Sequence, residues 1–277
     1  MSGSNPTLRC FCKGRHLVSS FVYTNPPDGE TRFDLNGQVY ARSYRRCGLC
    51  GHFFSHHEMD IKALYSQDYV DSTYGGSEGM LRAFERIISL PPEQSDNTGR
   101  VTRIVKFAER YWREVERDRT LLDVGSGLGV FPYVMTQAGW DCTALDPDLR
   151  ATEFAHETGI KSVNCDFLIV ASNELGRFDV ITFNKVLEHV EDPVAMLARS
   201  ADCLEADGFV YVEVPDGEGA MAEGPDREEF FIEHHHVFSP ASVCILVKKA
   251  GFHIVEMERI KEPSSKHTLR VFLTKEE

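Results

Sequence analysis

The 277-residue chain is 42% hydrophobic and 26% charged, which excludes a disordered protein and allows one large domain plus a small one. No run of 18 or more apolar residues exists and the N-terminus lacks a signal-peptide pattern, so we expect a cytoplasmic protein without a membrane segment. The net charge is −13, and residues 61–277 carry 23 Lys and Arg against 38 Asp and Glu, which argues against a nucleic-acid partner.

The first 58 residues contain two closely spaced cysteine pairs in a segment rich in turn residues, where we expect short strands and loops. One residue lies between Cys10 and Cys12, two residues lie between Cys47 and Cys50, and 34 residues lie between the two pairs. Each pair can span one edge of a zinc tetrahedron, and zinc would help so small a module to fold. We therefore predict a zinc-binding module over residues 1–58, with free buried thiols as the alternative. A nearby histidine could replace one cysteine: His16, His52, His56 or His57.

Residues 59–118 change to a helical pattern. Apolar residues recur at helical spacing within 80–88 and 101–115, and prolines and a glycine within 91–99 separate the two stretches. We predict a helical linker here.

From residue 119 to the end, strand and helix patterns alternate. Strands are predicted over 120–124, 142–145, 161–165, 178–183 and 209–214, and the tail adds two strands, 252–260 and 268–274, with no helix between them. The alternation predicts an α/β fold: a doubly wound, seven-stranded, mostly parallel sheet whose last pair is antiparallel. A ligand is expected at the carboxyl ends of the strands.

A glycine loop after the first strand of this segment is the strongest functional signal. Residues 121–129 read LLDVGSGLG and contain alternating glycines, Gly125, Gly127 and Gly129. They allow a sharp turn and let the amides of the next helix face a ligand, but Val130 stands where a dinucleotide-binding loop has its last glycine. Asp123 can help to hold an ammonium group and would repel a pyrophosphate, and Asp146 can accept both ribose hydroxyls. The pattern indicates a ligand with a ribose, a positive charge and no phosphate.

These residues resemble motif I and the following acidic position of class I S-adenosylmethionine-dependent methyltransferases, and the likeness extends over roughly residues 100–275. The segment 164–167 resembles the one whose acid contacts the adenine amino group, and 178–190 resembles motif IV, which ends beneath the methionine part of the cofactor. The resemblance implies a Rossmann-like methyltransferase fold that binds S-adenosylmethionine through the three glycines and six further residues, Asp123, Asp146, Pro147, Asp166, Phe167 and Asn184.

The resemblance also implies roles for the N-terminal parts. Tyr65, Tyr69 and Tyr74 precede the helical segment, where related enzymes fold a lid over the cofactor, and Tyr74 is predicted to contact it; ordinary packing is the alternative. The cysteine module resembles the zinc-binding module of sugar methyltransferases from antibiotic biosynthesis, which helps to cover the acceptor site. The spacing of Cys10 and Cys12 departs from the usual C-x-x-C.

Methyl transfer is an in-line displacement, so the protein mainly positions the reactants, which is worth up to about 7 to 11 kcal/mol, and removes the acceptor's proton. Histidine suits the second task because its pKa lies near the working pH. Glu188 and His189 follow the fourth strand, in a stretch similar to O-methyltransferases of the ubiquinone-biosynthesis type, and residues 233–239 place three consecutive histidines at the same rim. We predict Glu188, His189 and His235 as catalytic residues, with a merely loop-capping His189 as the alternative.

The expected function is methyl transfer from S-adenosylmethionine to a small molecule. A sugar or sugar-like metabolite, including a nucleotide-linked sugar, is the first choice of acceptor, and O-methylation is favoured over C- or N-methylation. A nucleic-acid or protein methyltransferase that docks through the zinc module is the second hypothesis. A non-catalytic binding protein with this fold is the third, and an NAD-dependent oxidoreductase a distant fourth.

Overall fold

A computed structural model describes residues 8, 10–13, 16–32, 35, 37–59, 76–113 and 119–276. Its first three strands are β1 (Leu17–Tyr23), β2 (Arg42–Cys47) and β3 (Phe53–His57). They pair antiparallel in chain order, as the short strands expected for the N-terminal part would.

Eight further strands follow in the described chain: β4 (Thr120–Val124), β5 (Asp141–Asp146), β6 (Lys161–Asn164), β7 (Phe178–Asn184), β8 (Leu204–Pro215), β9 (His236–Val237), β10 (Phe252–Lys261) and β11 (His267–Lys275). All except β9 form one sheet in the order β10–β11–β8–β7–β4–β5–β6. Strand β11 is antiparallel to both of its neighbours, and the pairs among β4 to β8 are parallel. The predicted α/β fold and its antiparallel last pair are confirmed.

Helices cover both faces of this sheet. Those in the described residues are α1 (Ser77–Ile88), α2 (Asp96–Trp112), α3 (Val130–Gln137), α4 (Leu149–Glu157), α5 (Ser172–Leu175), α6 (Pro193–Cys203), α7 (Gly217–Met221) and α8 (Pro240–Lys249). Single 3-10 turns lie at Pro92–Gln94 and Glu228–Phe230. None of the helices in the described ranges is both long and apolar enough to cross a membrane.

The alternation of side chains along β8 shows how the core is divided between the two faces. Phe209 and Tyr211 join a cluster with Trp112 of α2, whereas Val210 and Val212 join the cluster on the opposite face, which includes residues of α6 and α8. Residues 209–212 of β8 are apolar at four consecutive positions, so this stretch can bury both of its faces, as expected of a central strand between two helical layers. This continuous apolar pattern is what made the sheet predictable.

The small sheet contains a strand that the sequence analysis did not predict. Strand β9 comes from the segment that follows β8 and α7, and it pairs antiparallel with β3, through Phe53 with Val237 and Phe54 with His236. The four strands in the described part of this sheet therefore run in the order β1–β2–β3–β9. The N-terminal module is thus joined by backbone pairing to the loop that carries the consecutive histidines.

Candidate active site

A cleft of about 1740 Å³ opens at the carboxyl ends of β4, β5 and β7. Its lining includes most of the residues predicted to bind the cofactor, namely Asp123, Gly125, Gly127, Asp146, Pro147, Asp166, Phe167 and Asn184. Gly129 is not part of the lining, and Tyr74 lies outside the described residues, as do Tyr65 and Tyr69. Parallel strands end at one edge of a sheet, which explains why residues distant in sequence meet here.

The glycine loop has the backbone that its sequence predicts. Gly125, Gly127 and Gly129 have φ angles of 69°, 53° and 66°, in the left-handed region that favours glycine. A Cβ on Gly125 would lie 2.7 Å from Val186 Cγ2, so this position also needs glycine for space. Gly129 instead turns the chain into α3, where a Cβ would lie 3.4 Å from that of Ala155 in α4. Its role is therefore helix packing, not lining the cleft.

Asp146 ends β5 with its carboxylate held by two backbone amides. Gly127 N donates to Oδ2 and Asp148 N donates to Oδ1, each at 2.9 Å. These bonds fix the carboxylate beside the glycine loop, and each oxygen keeps a further lone pair. Burial raises the pKa of Asp146, and the two amide hydrogen bonds oppose this effect because they lower the pKa. A carboxylate fixed in this way can accept two hydroxyl groups of one ligand.

Asp123 is almost fully buried beneath the loop. Thr182 Oγ1 and Asn184 Nδ2 each donate to its Oδ1 at 2.7 Å. Burial raises its pKa to about 6, although hydrogen bonds from Thr182, Ser126 and Asn184 lower it. Asn184 Oδ1 is buried and has no hydrogen-bond partner in the described part of the chain. The two side chains thus present a costly carboxylate and an unsatisfied carbonyl oxygen, which a ligand carrying N–H donors and positive charge would satisfy.

The adenine-side residues differ in exposure. Asp166 is exposed, and its Oδ1 accepts from Leu168 N at 2.8 Å, which closes a tight turn. Phe167 is 2% exposed, and its ring centroid lies 5.9 Å from that of Phe183 in the core. Asp166 is therefore available to a ligand, whereas Phe167 forms mainly the floor of the cleft.

Beside the cleft, Glu188, His189 and His234 form a cluster in which the candidate ligand atoms all lie within 4.8 Å of one another, and His189 is the member of the three that lines the cleft. The Nδ1 atoms of His189 and His234 lie 3.0 and 2.9 Å from the carbonyl oxygens of Glu233 and Glu229. A carbonyl only accepts, so each Nδ1 carries a proton and donates it, which leaves the lone pair on Nε2. Burial lowers the pKa of both histidines, so both are neutral at pH 7.

Glu188 completes this acceptor-rich cluster. It is 1% exposed, and its Oε2 has no hydrogen-bond partner among the described residues. Burial raises its pKa to about 7, against the nearby charge of Lys185, which lowers it. Two imidazole lone pairs and a carboxylate together can take up a proton, and they could equally hold a divalent cation.

The structure does not place His235 in the cleft. Its side chain is buried and does not line the cleft, and burial lowers its pKa to about 4. His235 N instead donates to Glu188 O at 2.8 Å, so its backbone fixes Glu188. His234 does not line the cleft either, but it is the member of the histidine run that contacts the cleft residue His189, with a distance of 4.8 Å between the two ring centroids. Three consecutive histidines carry no periodicity that could have identified it.

Lys185 is a cleft residue that the sequence analysis missed. It is a non-glycine residue in the left-handed region, with φ 61°, at the first position after β7. Its Nζ donates to Thr268 Oγ1 at 2.6 Å, and burial lowers its pKa. Strained backbone at the end of a strand often accompanies a functional site. The motif-IV segment gave no signal of this conformation.

The four N-terminal cysteines meet as predicted. Sγ of Cys10 lies 3.1 Å from Sγ of Cys12 and 3.3 Å from that of Cys50, and Sγ of Cys12 lies 3.6 Å from that of Cys47. A zinc tetrahedron with bonds of about 2.3 Å needs sulfurs about 3.8 Å apart, so a small expansion would accommodate the ion. Burial raises the pKa of Cys47, but amide bonds from Cys50 and Leu49 outweigh it and bring the pKa to about 7. These residues fit zinc.

No histidine belongs to this metal-ligand cluster in the described chain. His52 follows the second cysteine pair closely, but its Nδ1 lies 3.1 Å from Ser242 Oγ and its Nε2 lies 3.0 Å from His236 Nδ1. Its hydrogen bonds therefore connect the cysteine module to α8 and to β9.

Comparison with known proteins identifies the family and the fold of this chain. A family model described as a methyltransferase domain matches residues 96–257. Ubiquinone biosynthesis O-methyltransferase from Bordetella avium is 33% identical over 99 residues, which cover 34% of this chain and 41% of that protein. The chain thus spans about two fifths of the length of the curated relatives it matches.

Two solved structures show the same fold. The 1,6-didemethyltoxoflavin-N1-methyltransferase of Burkholderia thailandensis has a TM-score of 0.53 and 17% identity, covering 82% of this chain and 96% of that one. The magnesium protoporphyrin IX methyltransferase of Synechocystis PCC 6803 has a TM-score of 0.56 and 15% identity, covering 76% of this chain and 97% of that one. At these identities the likeness is one of fold.

Proposed function

The chain belongs to the methyltransferase domain family, and on that premise we propose that it transfers the methyl group of S-adenosylmethionine to a small-molecule acceptor. One observation carries the proposal: the glycine loop, Asp146 and Asp123 converge on a single cleft at the carboxyl ends of β4 and β5. When bound, S-adenosylmethionine supplies an electrophilic methyl group on a sulfonium. An acidic, phosphate-repelling site of this kind suits that cation better than a dinucleotide.

The proposed binding roles follow from the contacts. Asp146 accepts the ribose hydroxyls, because two amides already fix its carboxylate and leave free lone pairs. Asp123 and Asn184 face the amino-acid part, because they offer a buried carboxylate and an unpaired carbonyl oxygen. Asp166 is proposed to contact the adenine amino group from its exposed turn. Tyr74 stays a proposed lid contact.

The proposed acceptor side is the cluster of Glu188, His189 and His234. A neutral imidazole whose tautomer is fixed by a backbone carbonyl can take the acceptor's proton through Nε2 as the methyl group arrives. We propose His189 as this base because it lines the cleft, with the ring of His234 meeting it edge to face and Glu188 beside it. His235 stays a proposed contributor, but through its backbone bond to Glu188.

We further propose that the acceptor is a sugar or sugar-like metabolite, including a nucleotide-linked sugar, and that the methylated atom is oxygen. The support is the resemblance of the cysteine module to that of sugar methyltransferases and of residues 187–190 to O-methyltransferases of the ubiquinone-biosynthesis type. We also propose a structural zinc ion held by Cys10, Cys12, Cys47 and Cys50. The chain would then be organised as a zinc module over 1–58, a helical linker and lid over 59–118 and a catalytic domain over 119–277.

The catalytic proposal predicts a separation between turnover and binding. We expect His189→Ala to lower the turnover number by about 10²- to 10⁴-fold, the usual contribution of a general base. Affinity for S-adenosylhomocysteine should change less than about threefold, because His189 is not among the residues proposed to bind the cofactor. Turnover is followed by mass spectrometry of methylated products with nucleotide-linked sugars and phenols as acceptors, and affinity by calorimetry.

A second variant sharpens this test. His234→Ala should also lower turnover, whereas His235→Ala, which keeps its backbone bond to Glu188, should lose far less. Equal losses at His234 and His235 would contradict the assignment of His234, and unchanged turnover in His189→Ala would remove that residue from the mechanism.

A further inference from the structure

Residues 230–236, called the histidine loop below, form backbone hydrogen bonds with three N-terminal side chains, Glu30, Arg42 and Tyr44. Ile232 N donates to Glu30 Oε2, and Arg42 Nη1 donates to Phe230 O, both at 2.8 Å. Glu30 and Arg42 form an ion pair with each other at 2.5 Å, with side chains 0% and 1% exposed. The ion pair therefore binds the backbone at Phe230 and at Ile232, on both sides of Phe231.

Tyr44 of β2 contacts the backbone of His234 itself. Its hydroxyl is fully buried and lies 2.6 Å from His234 O and 3.0 Å from Phe231 O, so its single proton is shared between the two carbonyls, with the shorter bond to His234. A buried carbonyl without a donor is costly, so this bond strongly favours one position of the loop. His234 is therefore fixed from two sides, by Tyr44 at its carbonyl and by Glu229 O at its ring Nδ1.

The same loop reaches the cleft through Glu188 and His189. His235 N donates to Glu188 O, and His189 Nδ1 donates to Glu233 O. A shift of the loop would move both partners of the imidazole pair, whose ring centroids are 4.8 Å apart. Misplacement of a catalytic group by about 1 Å can cost 10²-fold in rate. The N-terminal sheet thus controls the geometry of the acceptor side without lining it.

We propose that Tyr44, supported by the Glu30–Arg42 ion pair, is a positioning residue that sets His234 and His189 for proton transfer. The catalytic effect of this positioning rests on the proposed function. The positioning of the two histidine side chains rests only on the fold. It assigns the N-terminal sheet a role in the proposed reaction: the sheet orients the proposed base.

Tyr44→Phe tests this because it removes one buried hydroxyl and keeps the ring. Tyr23→Phe is the matched control: Tyr23 lies in the same sheet, is 6% exposed, and its hydroxyl donates to Pro225 O at 2.7 Å, outside the histidine loop. We expect Tyr44→Phe to lower the turnover number about tenfold or more, with an unchanged KM for S-adenosylmethionine. Tyr23→Phe should stay within about twofold of the wild type. Equal losses in both variants would mean that the hydroxyl acts only through general stability.

A second readout does not depend on knowing the acceptor. The side-chain ¹⁵N–¹H correlations of His189 and His234, assigned with His→Gln variants, report the tautomer and surroundings of each ring. Tyr44→Phe should shift both sets of signals, and Tyr23→Phe should leave them in place. Shifted signals in a protein that methylates nothing would refute the proposed function while supporting the positioning role. Unshifted signals in Tyr44→Phe would overturn the positioning role whatever the activity.

Discussion

The buried carboxylate of Asp123 destabilises the ligand-free protein, although the same charge is proposed to help bind the cofactor. Its pKa is raised from 3.8 to about 6, mainly by burial, so the folded chain holds this proton more tightly than the unfolded chain does. The stability that the proton confers is fully present below pH 3.8 and is lost as the pH rises through about 6. Above that, the ionised carboxylate costs the ligand-free protein on the order of 3 kcal/mol.

This leads to a prediction for Asp123→Asn. The variant should unfold at a higher denaturant concentration than the wild type at pH 8, because it keeps an acceptor for Thr182 and Asn184 without the buried charge. It should also bind S-adenosylmethionine more weakly. Chemical denaturation at pH 8 and pH 5 measures the first effect, and the advantage should shrink at pH 5.

The pH dependence of binding is the corresponding control. Affinity of the wild type should fall as the pH drops through about 6, because a protonated Asp123 no longer attracts the cationic ligand. Asp123→Asn should lose this dependence. A wild-type affinity that stays constant between pH 5 and pH 8 would show that Asp123 does not face the charge of the ligand.

Some residues of the candidate site could be predicted from the sequence, and others could not. Asp123, Asp146 and the glycines were predictable because the end of a parallel strand and a left-handed turn impose local requirements. The choice among three consecutive histidines was not, since it depends on a tyrosine 190 residues away in the chain. The left-handed Lys185 was equally hidden, because nothing in its neighbours requires that conformation.

Among the elements, β9 pairs with β3 in the smaller sheet, and the residue after it, Phe238, forms a bridge with Asp216, which follows β8 of the larger sheet. It has only two residues, His236–Val237, and a segment so short has no recognisable alternation. Strands β4, β5, β7 and β8 were predictable because each has buried apolar residues of its own, whereas β9 exists through its pairing with β3. Long-range pairing of this kind is decided by tertiary context.

The cysteine module is coupled to this element through a short path. Cys47 N donates to His52 O at 2.8 Å, and the ring of His52 contacts that of His236 in β9. A change at the thiolates would therefore reach the histidine loop through the turn between β2 and β3.

We predict that the purified protein binds one zinc ion per chain and that Cys47→Ser loses it. Since structural zinc contributes folding energy, the variant should melt at a lower temperature and turn over acceptor more slowly. Its affinity for S-adenosylhomocysteine should be affected far less, because the glycine loop belongs to the other sheet. Metal analysis, thermal melting and calorimetry check these three effects.

Cys244→Ser is the matched control, because Cys244 is an exposed thiol outside the cluster. It should keep the zinc and the melting temperature of the wild type. Full zinc occupancy in Cys47→Ser would contradict the tetrahedral assignment, and a wild-type protein free of zinc would favour buried free thiols.

For the molecule as a whole, the two sheets divide the proposed work. The larger sheet presents the glycine loop and the acids that would hold the cofactor, and the smaller sheet holds the histidine loop that faces the acceptor. The class of fold and the cofactor end were accessible from local patterns. The acceptor end was not, because it is assembled from segments that lie far apart in the chain.

Calorimetric titration with S-adenosylhomocysteine, comparing the wild type with Asp146→Ala, tests whether the cleft binds the cofactor. We expect one site per chain in the wild type and an affinity at least tenfold lower in Asp146→Ala, because the variant lacks the fixed carboxylate that is proposed to accept the ribose hydroxyls. A wild-type protein that binds no S-adenosylhomocysteine, or an Asp146→Ala variant that binds it equally well, would contradict this expectation.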